Sequence, residues 1–172
     1  MKQHLEGIRV IDLTAYLSGP YASMNLAAMG AEVIKIERPG VGDPCRWNPP
    51  FAGPHGVSFE RKDDTDISIL YLKRNRNKKS IFLDLQKEKG KELLGRLIEK
   101  SDIVLENFTP GVMDRLGFSY ERLAEINPRI IYCSISGYGQ EGQFKNRSAF
   151  DLTVQATSGI MGLTGFRDGP PV

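Results

Sequence analysis

Basic and aromatic side chains that follow predicted strands are the residues of this chain best suited to a charged, ring-bearing ligand. They are Arg38, the basic run at residues 73–79, the pair Asn107-Phe108, and Arg115. A ligand with several phosphates and an adenine ring needs cations for its charge and flat surfaces for its base, and arginine supplies a hydrogen-bonding fork and a stacking plane. The alternative is that each is an ordinary exposed cation, which is the usual role of a charge run.

Asp151 is the interior carboxylate that most merits a chemical role. It stands between Phe150 and Leu152, where a predicted apolar helix begins. The helix dipole alone favours an acid in the first turn. A plain first-turn acid and a partly buried acid that faces a ligand therefore both fit the sequence.

The sequence lacks the residues that several common kinds of catalytic site require. The histidines are His4 and His55, one near the amino terminus and one in a predicted loop, which argues against Ser-His-Asp and Cys-His sites. There is no Walker-type phosphate loop and no dinucleotide fingerprint after the first strand. Residues 137–142 match that fingerprint by letter, but no acidic residue follows about 20 positions later to open another βαβ unit. We interpret this segment as a glycine-rich wall of an active site.

Composition limits the class of protein and its partners. The 172 residues are 40% apolar and 26% charged, as in a globular domain. Lysine and arginine exceed aspartate and glutamate by 23 to 21, too little to indicate nucleic-acid or membrane-surface binding. Cys45 and Cys133 show no partner pattern, so we expect no metal site and no disulfide. With no signal-peptide pattern and no membrane-length apolar run, we expect a cytoplasmic protein.

Strand-length apolar runs alternate with helical patterns, which predicts an α/β fold with a mainly parallel sheet flanked by helices. Residues 40–66 are rich in proline, glycine and charge and predict a long surface loop. Arg38 follows the second strand, at the sheet edge where α/β folds bind ligands. The predicted strands are 8–13, 31–37, 80–85, 102–106 and 129–135; the predicted helices are 21–29, 87–100, 112–116, 120–126 and 150–161; residues 17–20 form a turn, residues 67–71 a short strand or helix, and residues 73–79 a basic turn.

Many ordered motifs resemble the family III CoA-transferases, the group of formyl-CoA transferase and carnitine CoA-transferase. The likeness covers essentially the whole chain except the region near residues 52–70. The motifs are LEGIRVIDL at 5–13, SGP at 18–20, GAEVIKIERPG at 30–40, NRNKKS at 75–80, Asp102 with ENFTPG at 106–111, GYGQ at 137–140 and DGPP at 168–171.

This resemblance implies a Rossmann-like α/β domain that binds coenzyme A (CoA) as a substrate, with no permanently bound cofactor. The partners would be an acyl-CoA and a carboxylic acid. The chain would be the amino-terminal part of the large domain, without the smaller domain and the carboxy-terminal return segment. The full-length protein would form an interlocked homodimer. The sequence stops after the double proline at 170–171, without a final helix or strand to hold its end. We therefore expect the natural protein to continue beyond Val172.

The resemblance also assigns site residues. Formyl-CoA transferase carries a glutamine where this chain has Leu17, so formyl or oxalate specificity does not follow from the resemblance. The acyl donor and acceptor stay open. The positions that match coenzyme-site residues are Leu17 and Ser18 beside the acyl group, Arg38 at the nucleotide, Leu83, Gln86, Asn107, Phe108, Thr109 and Arg115 along the coenzyme, and Ser148 and Asp151 near the thioester.

The family mechanism uses an aspartate nucleophile, which the resemblance places just beyond Val172, so this chain alone is expected to be inactive. One alternative is an α-methylacyl-CoA racemase, in which Asp151 would act with a histidine that has no counterpart after His55. Another alternative is a CoA-binding fragment without catalysis.

Overall fold

The computed structural model describes residues 3–170, so Pro171 and Val172 at the end of the predicted DGPP motif lie outside the described residues. The chain divides into two compact units, Met1–Ile135 and Ser136–Val172. The strands are β1 (Arg9–Asp12), β2 (Glu32–Glu37), β3 (Phe51–Gly53), β4 (Gly56–Ser58), β5 (Ile67–Ser68), β6 (Lys78–Phe82), β7 (Ile103–Glu106) and β8 (Ile131–Ser134). The helices are α1 (Ser18–Ala28), α2 (Ile69–Arg74), α3 (Glu88–Ile98), α4 (Val112–Leu116), α5 (Tyr120–Ile126) and α6 (Asp151–Ser158).

The first unit contains a five-stranded sheet in the order β6-β2-β1-β7-β8. All four neighbouring pairs run parallel, which confirms the predicted α/β fold. The chain starts in the middle of the sheet, proceeds to one edge through β2 and β6, and returns to β7 and β8. The strand order therefore reverses between β1 and β7, the point where open α/β sheets form their ligand crevices.

Helices cover both faces of this sheet because adjacent residues of β1 point to opposite sides. Ile11 packs in an apolar cluster with Leu94 of α3 and Leu123 of α5. Val10 packs on the other face, in a cluster that includes Ala27 of α1. The strands β1 and β7 are buried along most of their length, and the sequence showed them as short apolar runs.

Two boundaries differ from the sequence prediction. Residues 18–20, predicted as part of a turn, form the first turn of α1, because proline is compatible with a helical first turn, where its missing N–H is not needed. The basic run at 73–79 is not a single turn. It begins in the last turn of α2 and ends in β6, which starts at Lys78.

The predicted loop at residues 40–66 contains regular structure. Pro44–Trp47 forms a 3-10 helix, and β3 and β4 form a hairpin that β5 extends into a three-stranded antiparallel sheet. The Asp43 carboxylate caps the 3-10 helix by accepting the Cys45 N–H at 3.0 Å. Strands of two or three residues are too short to show a period-two pattern, so the sequence revealed only their turns.

The second unit contains α6 and a 3-10 helix at Ile160–Leu163. The predicted helix at 150–161 is therefore interrupted at Gly159, whose φ of 80° is left-handed and ends α6. Residues 137–142 form neither helix nor strand. Within residues 3–170, no helix has the length and apolarity needed to cross a membrane.

Candidate functional site

A cavity of about 350 Å³ lies in the first unit at the carboxyl ends of β1, β2, β6 and β7. This volume is within the usual range of small-ligand sites, about 300–1,000 Å³. The position is the one that the reversal of strand order predicts. The residues that line it are Leu13, Thr14, Ala15, Ile36, Glu37, Arg38, Gly42, Asp43, Leu83, Asp84, Leu85, Gln86, Phe108, Val112 and Leu116.

Arg38 supplies an unpaired cation to this cavity. It directly follows β2, and its carbonyl accepts the N–H groups of Val41 and Gly42 at 3.4 and 2.8 Å, which fixes its backbone in a turn. The side chain is exposed, and among residues 3–170 no carboxylate or other group pairs with its guanidinium. The guanidinium is therefore available to an anionic ligand.

Leu83 and Gln86 lie on the wall that follows β6. The Leu83 N–H donates to the Glu37 carbonyl at 3.0 Å, which continues the pairing of β6 with β2. The Asp84 side chain then accepts the Gln86 N–H at 3.0 Å, and its carbonyl accepts the Lys87 N–H at 3.1 Å. These bonds form a tight turn, and the residues Leu83, Leu85 and Gln86 in and beside this turn line the cavity.

Phe108 lines the cavity on the β7 side and packs against the core. The buried Glu106 carboxylate holds it by accepting the Phe108 N–H at 2.7 Å and the Tyr132 hydroxyl at 2.9 Å. Burial is the main cause of a raised pKa of Tyr132, and the hydrogen bond to this carboxylate raises the pKa further. The hydroxyl therefore stays protonated and donates to Glu106 at ordinary pH.

Asn107 contacts the loop between β1 and α1 instead of lining the cavity. Its amide accepts the Ala15 N–H at 2.9 Å and donates to the Ala15 carbonyl at 2.8 Å and to the Ser18 hydroxyl at 3.5 Å. Leu17 and Ser18 are exposed at the beginning of α1. The structure thus brings Leu17, Ser18 and Asn107 together at the carboxyl ends of β1 and β7.

Two further residues of the first unit that the resemblance assigns do not line the cavity. Thr109 and Arg115 follow β7 and are exposed; the Thr109 carbonyl accepts the Val112 N–H at 3.2 Å. Ser148 and Asp151 belong to the second unit. Asp151 is exposed, begins α6 and accepts an amide N–H from Gln155 at 2.8 Å, as a first-turn acid does.

Comparison with known proteins decides the family. The sequence model of CoA-transferase family III matches residues 5–172. The chain belongs to CoA-transferase family III. It is 46% identical over 169 residues to human succinyl-CoA:glutarate CoA-transferase, covering 98% of this chain and 36% of that protein. It is 47% identical over 170 residues to acetyl-CoA:oxalate CoA-transferase of Acetobacter aceti, covering 99% of this chain and 41% of that protein.

A solved structure supports the fold of this family III chain. A CAIB/BAIF family protein from Brucella suis matches 100% of the chain with a TM-score of 0.87 and 39% identity, and the match covers 43% of that protein. The chain therefore spans about two fifths of the length of the relatives that it matches.

The family III chain also carries a buried ionic cluster that the sequence did not reveal. Glu37, at the end of β2, accepts two bonds of 2.7 Å from the Arg46 guanidinium, one of 3.0 Å from the Tyr71 hydroxyl and one from the Ser80 hydroxyl. Its carboxylate also accepts the Asp43 N–H at 2.8 Å. The only sequence signal was a charge at a position of β2 that faces the interior.

Two further buried ion pairs support the cavity. Asp12 ends β1 and lies 3.0 Å from the Lys78 ammonium, and it also accepts the Ser23 hydroxyl at 2.6 Å. Lys35 lies 3.0 Å from Asp43. Burial lowers the pKa of Lys78, against the attraction of Asp12. Among the residues described, no group of three or more His, Cys, Asp or Glu could hold a metal ion.

Gly90 brings α3 close to the cavity wall, and we expect Gly90→Ala to disturb that wall. A Cβ at this position would collide with the backbone carbonyl of Asp84. The turn that carries Gln86 must then shift, with an expected cost of about 1–3 kcal/mol in the free energy of unfolding. Urea unfolding would measure this effect.

The matched control is Gly95→Ala in the same helix, where a Cβ meets nothing within 4 Å. Because alanine is the better helix former, this variant should gain about 0.5–1 kcal/mol in the free energy of unfolding. Equal behaviour of the two variants would contradict the proposed contact.

Proposed function

We propose that the protein carrying this chain transfers CoA between an acyl-CoA thioester and a carboxylic acid. The observation that carries the proposal is the family match over residues 5–172. Curated relatives at 46 and 47% identity are named for such exchanges, with glutarate and oxalate as acceptors. The cavity at the switch point of the sheet supplies a physical site for the coenzyme.

We assign most of the coenzyme contacts to the first unit. The Arg38 guanidinium would pair with a phosphate, and Phe108 would contribute an apolar face beside Leu83 and Gln86. Leu17 and Ser18 would lie beside the acyl group. The other coenzyme contacts that we propose are Asn107, Thr109, Arg115, Ser148 and Asp151.

The covalent chemistry that we propose uses an aspartate beyond Val172. Its carboxylate attacks the donor thioester carbonyl, which breaks the C–S bond, forms a mixed anhydride and releases the CoA thiolate. The thiolate attacks the aspartyl carbonyl, which gives an aspartyl-CoA thioester and frees the donor acid. The acceptor carboxylate then displaces the thiolate as a second anhydride, and the thiolate attacks the acceptor carbonyl to form the new acyl-CoA and restore the aspartate. No proton or electron is consumed.

Racemisation of an α-methylacyl-CoA is the alternative chemistry in the same fold. It requires a base that removes the α-proton, and histidine is the usual choice. The chain holds His4 and His55, and neither lines the cavity. The similar curated proteins are named as CoA-transferases, which favours transfer over racemisation and over an inactive CoA-binding module.

We further propose a cytoplasmic homodimer with no permanently bound cofactor. These assignments follow the family resemblance. Sedimentation of the full-length protein would measure its oligomeric state.

The test is an exchange assay with the full-length protein. Succinyl-CoA and acetyl-CoA would be incubated in turn with glutarate and oxalate, and the CoA esters would be separated by liquid chromatography and identified by mass. We expect at least one new acyl-CoA, and hydroxylamine should trap an aspartyl hydroxamate on the enzyme. Deuterium uptake at the α-carbon of a 2-methylacyl-CoA without any exchange would instead establish a racemase.

A further inference from the structure

Tyr16 adopts a backbone conformation that its side chain disfavours. It lies in the loop between β1 and α1, directly before Leu17, and its φ is 68°. A residue with a Cβ is uncommon in this left-handed region, and it stays there only when its surroundings hold it. Tyr16 is 55% exposed, so side-chain packing alone does not hold the conformation.

The Asp43 carboxylate holds the amide side of Tyr16. Its Oδ1 accepts the Tyr16 N–H at 3.2 Å and the Cys45 N–H at 3.0 Å. Its Oδ2 lies 3.0 Å from the Lys35 ammonium, and both side chains are at most 1% exposed. The same ammonium donates to the Thr14 carbonyl at 2.6 Å. One buried ion pair therefore fixes the loop on both sides of Ala15.

The carbonyl side of Tyr16 is held as well. It accepts the Cys45 thiol at 3.2 Å and the Arg74 guanidinium at 3.3 Å. Asp43, Cys45 and Arg74 all belong to the segment between β2 and β6. That segment includes the predicted loop at residues 40–66, and it fixes the backbone on which Leu17 and Ser18 depend.

We propose that Asp43, supported by Lys35, is a positioning residue that holds Tyr16 in its left-handed conformation and so fixes Leu17 and Ser18 against the acyl group. This role rests on the proposed function, because it concerns the acyl end of the same site. Asp43 acts through Tyr16 and also lines the cavity. The turn that carries Leu83 and Gln86 is held by other bonds, from the Leu83 N–H to the Glu37 carbonyl and from the Gln86 N–H to Asp84.

Asparagine is the variant that separates charge from size at this position. Its oxygen can face the Tyr16 and Cys45 N–H groups only if its NH₂ faces the Lys35 ammonium, and the reverse orientation places NH₂ against the two N–H groups. Either orientation opposes donor to donor. Asp43→Asn therefore cannot satisfy both partners, although it fills the same space.

Full-length wild type, Asp43→Asn and Asp43→Asn with Tyr16→Gly would be compared in the exchange assay. We expect Asp43→Asn to lower kcat about tenfold, because small misplacements of a reacting group cost this much or more, while KM for acyl-CoA changes less than about twofold. Glycine adopts left-handed φ without strain, so Tyr16→Gly should recover most of the lost kcat. A purely structural defect would not be rescued by removing a side chain.

Hydrogen exchange of the peptide covering residues 13–20 gives a readout that needs no activity. We expect faster exchange in Asp43→Asn than in wild type, and no change in Asp63→Asn, whose carboxylate bonds only to Thr65 of its own turn. If Asp43→Asn fails to fold, Arg74→Met should give the same pattern more weakly, with rescue by Tyr16→Gly.

The outcomes separate the two claims. Unchanged kcat and unchanged exchange of residues 13–20 in Asp43→Asn, or loss of kcat that Tyr16→Gly does not recover, would overturn the role of Asp43. Absence of CoA exchange in the wild type would instead contradict the proposed function, and the hydrogen-exchange comparison would still decide whether Asp43 holds the loop.

Discussion

Replacing Arg38 with glutamine is expected to raise the Kd of the full-length protein for CoA at least tenfold. A hydrogen bond to a charged group contributes about 1.5–3 kcal/mol, which corresponds to roughly 10- to 150-fold in affinity. The Arg38 guanidinium is exposed at the cavity and has no partner of its own among residues 3–170. The substitution therefore removes a ligand contact without breaking an internal one, and isothermal titration with CoA would measure the loss.

Salt provides a second readout for the same variant. Because an exposed cation is screened as ionic strength rises, the wild-type Kd should increase with added salt, and Arg38→Gln should depend on salt less steeply. The control is Arg122→Gln, which removes an exposed arginine that pairs with Glu125 on α5. An Arg38→Gln protein with wild-type affinity would contradict a phosphate contact at this position.

Glu37→Gln is expected to cause the largest loss of stability. The carboxylate is 3% exposed and accepts bonds from Arg46, Tyr71 and Ser80. Breaking a buried ion pair typically costs 3–5 kcal/mol, and we expect about 3 kcal/mol because the Arg46 side chain is 29% exposed. Urea unfolding at neutral pH would measure the change.

The pKa of Glu37 determines how the stability difference between wild type and Glu37→Gln changes with pH. Burial alone would raise the pKa of Glu37, but the hydrogen bonds from Arg46, Ser80 and the Asp43 N–H outweigh it and lower the pKa from 4.5 to about 2. A carboxyl whose pKa is lower in the folded state stabilises above its unfolded pKa and loses that contribution as protons bind. The difference in unfolding free energy between wild type and Glu37→Gln should therefore shrink as the pH falls from 4.5 towards 2.

The control is Glu92→Gln on α3, where the carboxylate is exposed. Its effect should stay within about 0.5 kcal/mol at every pH. A constant gap between wild type and Glu37→Gln across this pH range would contradict the proposed network.

The sequence predicted local structure well where a pattern repeats within one element. The helices Val112–Leu116 and Tyr120–Ile126 have the predicted bounds, because Gly117 and Asn127-Pro128 end them. The parallel strands were visible as apolar runs. The short strands β3 and β4 were missed, since their stability comes from pairing with each other and not from their own residues.

Part of the site was also accessible from the sequence. Arg38 was identified because it follows a strand, and Phe108 because it follows another. Leu83 and Gln86 were named only from the family resemblance, since leucine and glutamine carry no chemical signal of their own.

Only the tertiary structure decided what surrounds the cavity. Glu37 meets Tyr71 across 34 residues of sequence, and Asn107 meets Ala15 across 92. Such pairs form where the carboxyl ends of different strands converge, and the order of those strands is set by packing of both sheet faces against helices. The residue types at strand ends were therefore determined by the sequence alone. Their partners, and the left-handed conformation of Tyr16, were decided by the tertiary structure, because the fold brings segments that are distant in sequence together and each buried polar group must then find a partner there.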